Sequence, residues 1–395
     1  MPRIYFDNAA TTPLDPRVRA AMQPYLDGDF GNPSSLHSEG RAARAAVEQA
    51  RRHVAALVNA PENGVIFTAS GTEANNLALR GVCAAARGKP IHVITSAIEH
   101  PAVRQVIRVL ERDGVAASVL RVTADGILDP SELRAALRPE TRLVSIMAAN
   151  NVIGTLQPVR ELAAVAHECG ALFHTDAVQA AGHVPLDLER DGIDLLSLSG
   201  HKLHGPKGVG ALLVRKGVSL EPVVFGGGHE HGLRSGTENV PGIVGLGEAA
   251  RLCRADQAEE SARLVGLRER LIEGVLASVP GAYLSGHRRR RLPGNACFGF
   301  AGHEGESIRL LLALDEAGVA VSSGSACSAH QAAEPSYVLT ALGYDPIRAR
   351  GALRVTLGRF NTESEVETFL QLLPRAVSQL RPITGRERAP AGEAR

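Results

Sequence analysis

Ser197-Leu198-Ser199-Gly200-His201-Lys202-Leu203-His204-Gly205-Pro206-Lys207-Gly208-Val209-Gly210 is the stretch on which the reading of this chain turns. It holds two of the four lysines among 395 residues, the others being Lys89 and Lys216, while 39 of the 43 basic residues are arginine. A chain that draws nearly all its positive charge from arginine, yet keeps a lysine here, points to an amine that must lose its proton. Arginine stays charged, whereas a buried lysine can become a neutral nucleophile. Residues 192–197 read as a short buried strand ending in serines, and residues 208–214 as the next strand. Lys202 then stands on the turn between them, at the edge of a sheet. A solvated loop lysine is the ordinary reading of such a position. The scarcity of lysine and the glycine-flanked, histidine-rich setting favour a chemical one.

Residues 199–208, Ser-Gly-His-Lys-Leu-His-Gly-Pro-Lys-Gly, resemble the cofactor-lysine segment of cysteine desulfurases. These are pyridoxal 5'-phosphate (PLP) enzymes of the class V aminotransferase group. The resemblance implies that Lys202 forms the Schiff base with PLP and that Ser199 and His201 contact the cofactor.

Working upstream, Leu172-Phe173-His174-Thr175-Asp176 reads as a strand ending in a carboxylate, 26 residues before Lys202. A lone strand-end aspartate more often caps a helix. The resemblance implies that Asp176 holds the pyridinium nitrogen, which keeps the ring an electron sink, and that Gln179 bonds the phenolic oxygen. Val65-Ile66-Phe67-Thr68 reads as a strand, Ala69-Ser70-Gly71-Thr72-Glu73 as a turn, and residues 74–87 as an alanine-rich helix. A small, hydroxyl-rich turn opening a helix suits a phosphate, because backbone N–H groups and the helix dipole face the anion. Most such turns are only caps; the resemblance implies that Gly71 and Thr72 seat the PLP phosphate. Residues 92–96 form the next strand, and Glu99-His100-Pro101 starts a helix. A histidine there is ordinarily a cap or a solvated residue. In the family the matching histidine stacks on the cofactor ring and relays protons from the substrate thiol, a role carried to His100. Residues 143–147 read as a strand ending at Asn150-Asn151. Paired asparagines often mark a turn, while the resemblance implies that Asn151 binds the substrate carboxylate. Val152 departs from the glutamate the family often shows there. The polar run Asn8-Ala9-Ala10-Thr11-Thr12-Pro13 is similar to a family segment near the active site, although its spacing alone reads only as an N-terminal loop. A carboxylate, a lysine and a phosphate seat on successive strand ends match the rule that open α/β sheets bind ligands at the carboxyl ends of their strands.

Downstream, Phe225-Gly226-Gly227-Gly228-His229-Glu230-His231-Gly232 carries His229 where the family usually shows glutamine. Four histidines (201, 204, 229, 231) lack an acidic or cysteine ligand at a customary spacing, so no metal site is expected. Arg234-Ser235-Gly236-Thr237 matches the family's next motif, which implies that Thr237 reaches across a homodimer interface to the neighbouring PLP phosphate. Near residue 255 the texture changes. Residues 259–277 read as a long charged helix, Arg288-Arg289-Arg290-Arg291 as a solvated loop, 295–300 as a strand, 304–317 as a helix and 319–321 as a strand. Ser322-Ser323-Gly324-Ser325-Ala326-Cys327-Ser328-Ala329-His330 has the composition of a mobile, exposed loop. Cys83, Cys253, Cys297 and Cys169 read as small hydrophobes, whereas a solvent-reaching thiol such as Cys327 is a liability unless it reacts. The resemblance implies that Cys327 receives the sulfur, and that Arg354, in Leu353-Arg354-Val355-Thr356-Leu357-Gly358-Arg359, forks onto the substrate carboxylate. A surface salt bridge is the ordinary alternative for Arg354.

A net charge of +1 gives no footprint for nucleic acid, and the absence of tryptophan with only 4% aromatics disfavours base stacking. No apolar run reaches membrane-spanning length, the start has no signal-peptide pattern, and five widely spaced cysteines without a CxxC pair fit a reducing cytoplasm. The resemblance spans about residues 5–360. It implies a fold-type I PLP-dependent α/β enzyme with a large domain, residues 16–258, built on a mostly parallel sheet of the seven-stranded type. Residues 1–15 and 259–384 are expected to form a smaller α/β domain carrying the cysteine loop, and 385–395 a disordered tail. The implied reaction is L-cysteine to L-alanine with sulfur left on Cys327 and passed to an acceptor such as an iron–sulfur scaffold. A class V aminotransferase or lyase without the thiol step, and a PLP-free sulfur-binding protein, are the competing readings; Cys327 in its loop speaks against the first.

Overall fold

The computed structural model describes residues 3–323 and 335–380. The chain runs β1 (Ile4–Tyr5), α1 (Pro16–Asp27), α2 (Ser38–Leu57), β2 (Val65–Thr68), α3 (Gly71–Ala85), β3 (His92–Ser96), α4 (Pro101–Arg112), β4 (Ala116–Leu120), α5 (Pro130–Ala136), β5 (Thr141–Ser145), α6 (Val159–His167), β6 (Leu172–Asp176), β7 (Leu195–Ser199) and β8 (Gly210–Val214). It continues through α7 (Val240–Ser278), β9 (Ala282–Leu284), β10 (Asn295–Phe300), α8 (Ser307–Glu316), β11 (Val319–Ala320), α9 (Tyr337–Ala341), β12 (Leu353–Thr356) and α10 (Glu363–Ser378).

Seven strands form one sheet in the order β2-β8-β7-β6-β5-β3-β4. The pairs among β7, β6, β5, β3 and β4 are parallel, and β8 alone runs against both of its neighbours. Six of the seven strands therefore end on the same edge. The central strands are buried on both faces, which explains why they read as continuous apolar runs rather than alternating ones. Successive residues still serve opposite layers. Phe67, Leu196 and Leu213 pack with α2, α6 and the first part of α7, whereas Ile66, Leu195 and Leu212 pack with α3 and α4.

A second core forms around β10, β12, α8 and α10, with Ile4 and Phe6 from the N-terminus. There β12, β10 and β9 make an antiparallel sheet, and β1 pairs with β11. The long helix α7 belongs to both cores: Val240 to Cys253 pack in the first, Leu264 to Val275 in the second. The charged helix expected at 259–277 thus begins at Val240, and the expected boundary after residue 258 falls inside it. A Cβ at Gly247 would lie 2.5 Å from Ala50 Cα, so glycine there lets α7 close onto α2. The arginine run also needs correcting. Arg288 pairs with Glu269 and the two middle arginines are exposed, but Arg291 is buried, donating to the carbonyls of Ile153 (2.7 Å) and Asn295 (3.0 Å). Among the described residues, no helix is long and apolar enough to cross a membrane.

Candidate active site

The strand ends that share one edge open onto a cavity of about 350 Å³. Lys202 closes a single helical turn, Gly200–Lys202, between β7 and β8. Its Nζ donates to the carbonyl of Ala9 and, at 2.6 Å, to that of Ala10. The polar run at residues 8–13, which by spacing alone read as a loop and by resemblance as a segment near the active site, is therefore a wall of the site. Thr12 N and Oγ1 both donate to His201 O (3.0 and 2.9 Å), His204 N donates to Thr12 Oγ1 (2.9 Å), and His204 Nδ1 donates to Pro13 O (2.9 Å). Burial, with Lys202 and Lys207 close by, pushes His201 down to about 4, so its ring is neutral at physiological pH.

Asp176 ends β6 and is buried. One carboxylate oxygen accepts from Asn75 Nδ2 at 2.7 Å, the other from Val178 N at 3.0 Å. Among the described residues no cation pairs with it, so its charge remains available to a ligand. Two residues earlier, His174 bridges Ser145 (2.8 Å) and Ser197 (3.0 Å), cross-linking three parallel strands beneath the site. Burial pushes His174 down to about 3 and keeps this bridge uncharged.

α3 begins at Gly71, three residues earlier than its sequence pattern indicates, so the Ser-Gly-Thr turn is the helix's own first turn. Ser70 caps it by accepting from Glu73 N at 3.1 Å. The remaining first-turn amides, at Gly71 and Thr72, have no intrahelical acceptor. A Cβ on Gly71 would meet Val178 Cγ2 at 2.6 Å, so only glycine lets this turn approach the strand edge so closely.

His100 both caps and lines. Its Nδ1 accepts the Ala102 N–H at 3.1 Å at the start of α4, a bond that in the neutral ring places the hydrogen on Nε2, while the ring borders the cavity. Glu99 beside it is wholly buried, accepting from Ser96 Oγ (2.6 Å) and Met147 N (3.0 Å). Burial pushes its carboxyl up to about 8.

The asparagine pair divides its labour. Asn150 builds the turn, donating to Ile98 O and accepting from Val152 N and Ile153 N, whereas Asn151 lines the cavity. Val152 packs into a small core with Ile98 and Met147, which accounts for an apolar side chain there. Arg354 is buried, not a surface residue. It donates to Asp7 Oδ1 (2.8 Å) and Asn151 O (3.1 Å), and its Nε has no acceptor among the described residues.

Ten expected residues line this one cavity: Gly71, Thr72, His100, Asn151, Asp176, Gln179, Ser199, His201, Lys202 and Arg354. Thr237 does not; it borders a separate hollow beside β2. Cys327 lies outside the described residues, as does the 385–395 tail. Asn75 and Asp7 escaped the sequence reading, and for Ala9 and Ala10 the resemblance gave the neighbourhood but not the carbonyls that accept from Lys202. Asn75 stands one turn into α3 after the Ser-Gly-Thr turn, and a polar residue on an otherwise apolar helix face was the available signal. The residues fit PLP. An amine, a strand-end carboxylate and a helix N-terminus around one cavity would suit the aldehyde, ring nitrogen and phosphate of that molecule.

A family model described as aminotransferase class-V matches residues 4–369. Cysteine desulfurase IscS of Methanosarcina thermophila is 48% identical over 387 residues, covering 97% of this chain and 95% of the relative. Cysteine desulfurase IscS of Dictyoglomus turgidum is 47% identical over 381 residues, covering 96% of each. Among solved structures, a NifS-like protein superposes with a TM-score of 0.89 at 36% identity, over 96% of this chain and 100% of that one. SspA in complex with cysteine superposes with a TM-score of 0.80 at 34% identity, over 91% of this chain and 100% of that one. With the model matched almost end to end and near-full-length relatives of this identity, the chain belongs to the aminotransferase class-V family, in its cysteine desulfurase branch.

Proposed function

We propose that this protein desulfurates L-cysteine, with L-cysteine and the Cys327 thiol yielding L-alanine and a Cys327 persulfide. The balance closes without an oxidant: the substrate C–S bond breaks, an S–S bond forms, and the carbon that loses sulfur gains a proton. The convergence of ten residues on one cavity carries this reading. Asp176 would hold the ring nitrogen of PLP, Gly71 and Thr72 its phosphate, Gln179 its phenolic oxygen and Lys202 its aldehyde carbon, with Ser199 and His201 alongside. When bound there, PLP supplies an electron sink for the charge left on the substrate Cα. Arg354 and Asn151 orient the substrate carboxylate; the guanidinium is already braced from behind by Asp7. Lys202 Nζ moves the Cα proton, and His100 meets the substrate thiol with its Nε2–H as a hydrogen-bond donor.

Thr237 stands outside its own chain's cavity and is exposed, which supports a role toward a second copy and hence a homodimer. The persulfide is passed to an acceptor protein such as an iron–sulfur scaffold. Buried free thiols at Cys83, Cys253 and Cys297, each pushed up to about 11 by burial, accord with a cytoplasmic setting. The test is to incubate the protein with L-cysteine and a thiol reductant and to measure alanine and sulfide. Equimolar production that vanishes in Lys202→Ala supports the reading; no alanine from the PLP-loaded protein overturns it.

A further inference from the structure

The loop between β8 and α7 holds a buried carboxylate, Glu230. Its backbone turns left-handed at Glu230 (φ 48°), His231 (φ 57°) and Gly232 (φ 83°). Two consecutive residues with a Cβ in that region are uncommon and must be held there. What holds them is the sheet edge. β2 is an edge strand, and its outer row of backbone groups faces no further strand. Glu230 Oε2 accepts the Phe67 N–H at 2.7 Å, and Arg51, from α2, donates to Val65 O at 2.6 Å. The two side chains then close on each other through the two terminal guanidinium nitrogens, at 2.9 and 2.8 Å. They are 6% and 3% exposed, and the guanidinium also lies 4.8 Å from the centre of the Phe67 ring. An ion pair thus stands where another strand would pair.

A second tether follows. Arg234 Nε donates to Glu73 Oε1 at 2.9 Å, and the other Glu73 oxygen accepts from Ala69 N at 2.9 Å. The loop is therefore fastened at two points to the β2–α3 unit, and Thr237 emerges three residues later, exposed.

We infer that the Arg51–Glu230 ion pair is a positioning device that acts in trans, fixing the loop that presents Thr237 to a second subunit and so governing cofactor retention in that subunit's site. The inference rests on the homodimeric reading above. A buried carboxylate that loses its cation is strongly disfavoured, so the pair admits one seat for the loop where a surface contact would admit many. Neither residue lines the Lys202 cavity of its own chain, which is why the effect is expected elsewhere.

Mixed dimers with distinguishable tags separate the two subunits. In the first, a Lys202→Ala subunit pairs with a Glu230→Gln subunit, so the one lysine-bearing site receives Thr237 from an intact loop. In the second, a wild-type subunit pairs with a Lys202→Ala/Glu230→Gln subunit, so that site receives Thr237 from the unpinned loop. Glutamine keeps the side-chain shape and an acceptor for Phe67 N–H but removes the charge that Arg51 needs. The readouts are the rate at which lysine-linked PLP is lost on dialysis and alanine production. The first dimer should match a wild-type/Lys202→Ala reference within about twofold, while the second loses PLP at least tenfold faster. Equal impairment of both, impairment of the first alone, or no impairment of either overturns the inference. Should Glu230→Gln fail to fold, Arg51→Lys decides: it keeps the cation facing Glu230 but cannot supply both parallel bonds to the carboxylate, and it must give the same asymmetry. A monomer in sedimentation overturns the dimeric reading along with this one, whereas a dimer whose defect stays within the mutated subunit overturns this one alone.

Discussion

Replacing Arg354 by lysine tests how the substrate is held. The guanidinium offers five N–H donors. One serves Asp7 at 2.8 Å and one serves Asn151 O at 3.1 Å; of the three left, the Nε–H is buried without an acceptor, so a carboxylate would be met by the remaining terminal N–H groups. A lysine in the same place offers one nitrogen with three donors and no fork. It can face Asp7 or the substrate, but it cannot grip a carboxylate with two parallel bonds while braced from behind. Losing one charge-assisted hydrogen bond costs about 1.5–3 kcal/mol, so kcat/KM for L-cysteine should fall roughly 10- to 150-fold. The fold should survive, because a cation still faces Asp7. Alanine formation under limiting cysteine gives kcat/KM. L-alanine, as a competing product, should weaken by a similar factor, whereas cysteamine, which lacks the carboxylate, should bind parent and variant alike. A change in kcat/KM below twofold, or an equal loss for cysteamine, would refute the carboxylate role and leave Arg354 as a strut between Asp7 and Asn151.

Borohydride reduction of the PLP-loaded protein, followed by peptide mapping, should place the label on Lys202; a label on Lys207 would move the site. Cys327→Ser should bind L-cysteine with unchanged affinity yet release no sulfide above background, and release at the parent rate would return the protein to the aminotransferase or lyase reading. Glu99 gives a pH signature. Its carboxyl is raised from 4.5 to about 8 in the fold, so the folded state binds a proton that the unfolded chain has lost, and this contribution to stability is present below about pH 4.5 and disappears as pH rises through about 8. Melting temperatures of the parent should therefore decline more steeply between those pH values than those of Glu99→Gln, and parallel curves would contradict it. His174, lowered to about 3, works in the opposite direction: the unfolded chain takes up a proton below about 6.5 that the fold refuses. His174→Gln should accordingly flatten the loss of stability between pH 6.5 and 3, and an unchanged slope would show that the ring titrates in place.

Much of the site could be read because its parts are local. Each functional group follows a strand end by a few residues: Gly71 after Thr68, His100 after Ser96, Asn151 after Ser145, and Lys202 after Ser199. An apolar run and the turn chemistry after it are both visible within about ten positions, and the topology of parallel strands then carries every such turn to one edge. His100 was harder, since its cap to Ala102 is what an ordinary helix-start histidine makes; only its place beside the cavity adds a second role. The sequence reading gave only the charged second half of α7, residues 259–277; Gly242, Gly245 and Gly247 in its first half serve close packing in space.

The order of turns and strands, and with it the fold class, was legible in the amino-acid pattern, because those choices depend on dihedral preference and on which residues turn inward; the lysine stood out by its scarcity, and the roles of Asp176 and of the Gly71-Thr72 turn were implied by the family resemblance. What braces these groups was not legible there. Asn75 lies 101 residues from Asp176, Asp7 lies 347 from Arg354, Ala10 lies 192 from Lys202, and Arg51 lies 179 from Glu230. No periodicity links such positions. A hydrogen bond needs its partners within about 3 Å, and whether two distant segments come that close depends on how whole layers pack, so it was the folded chain that decided which polar residues brace the site.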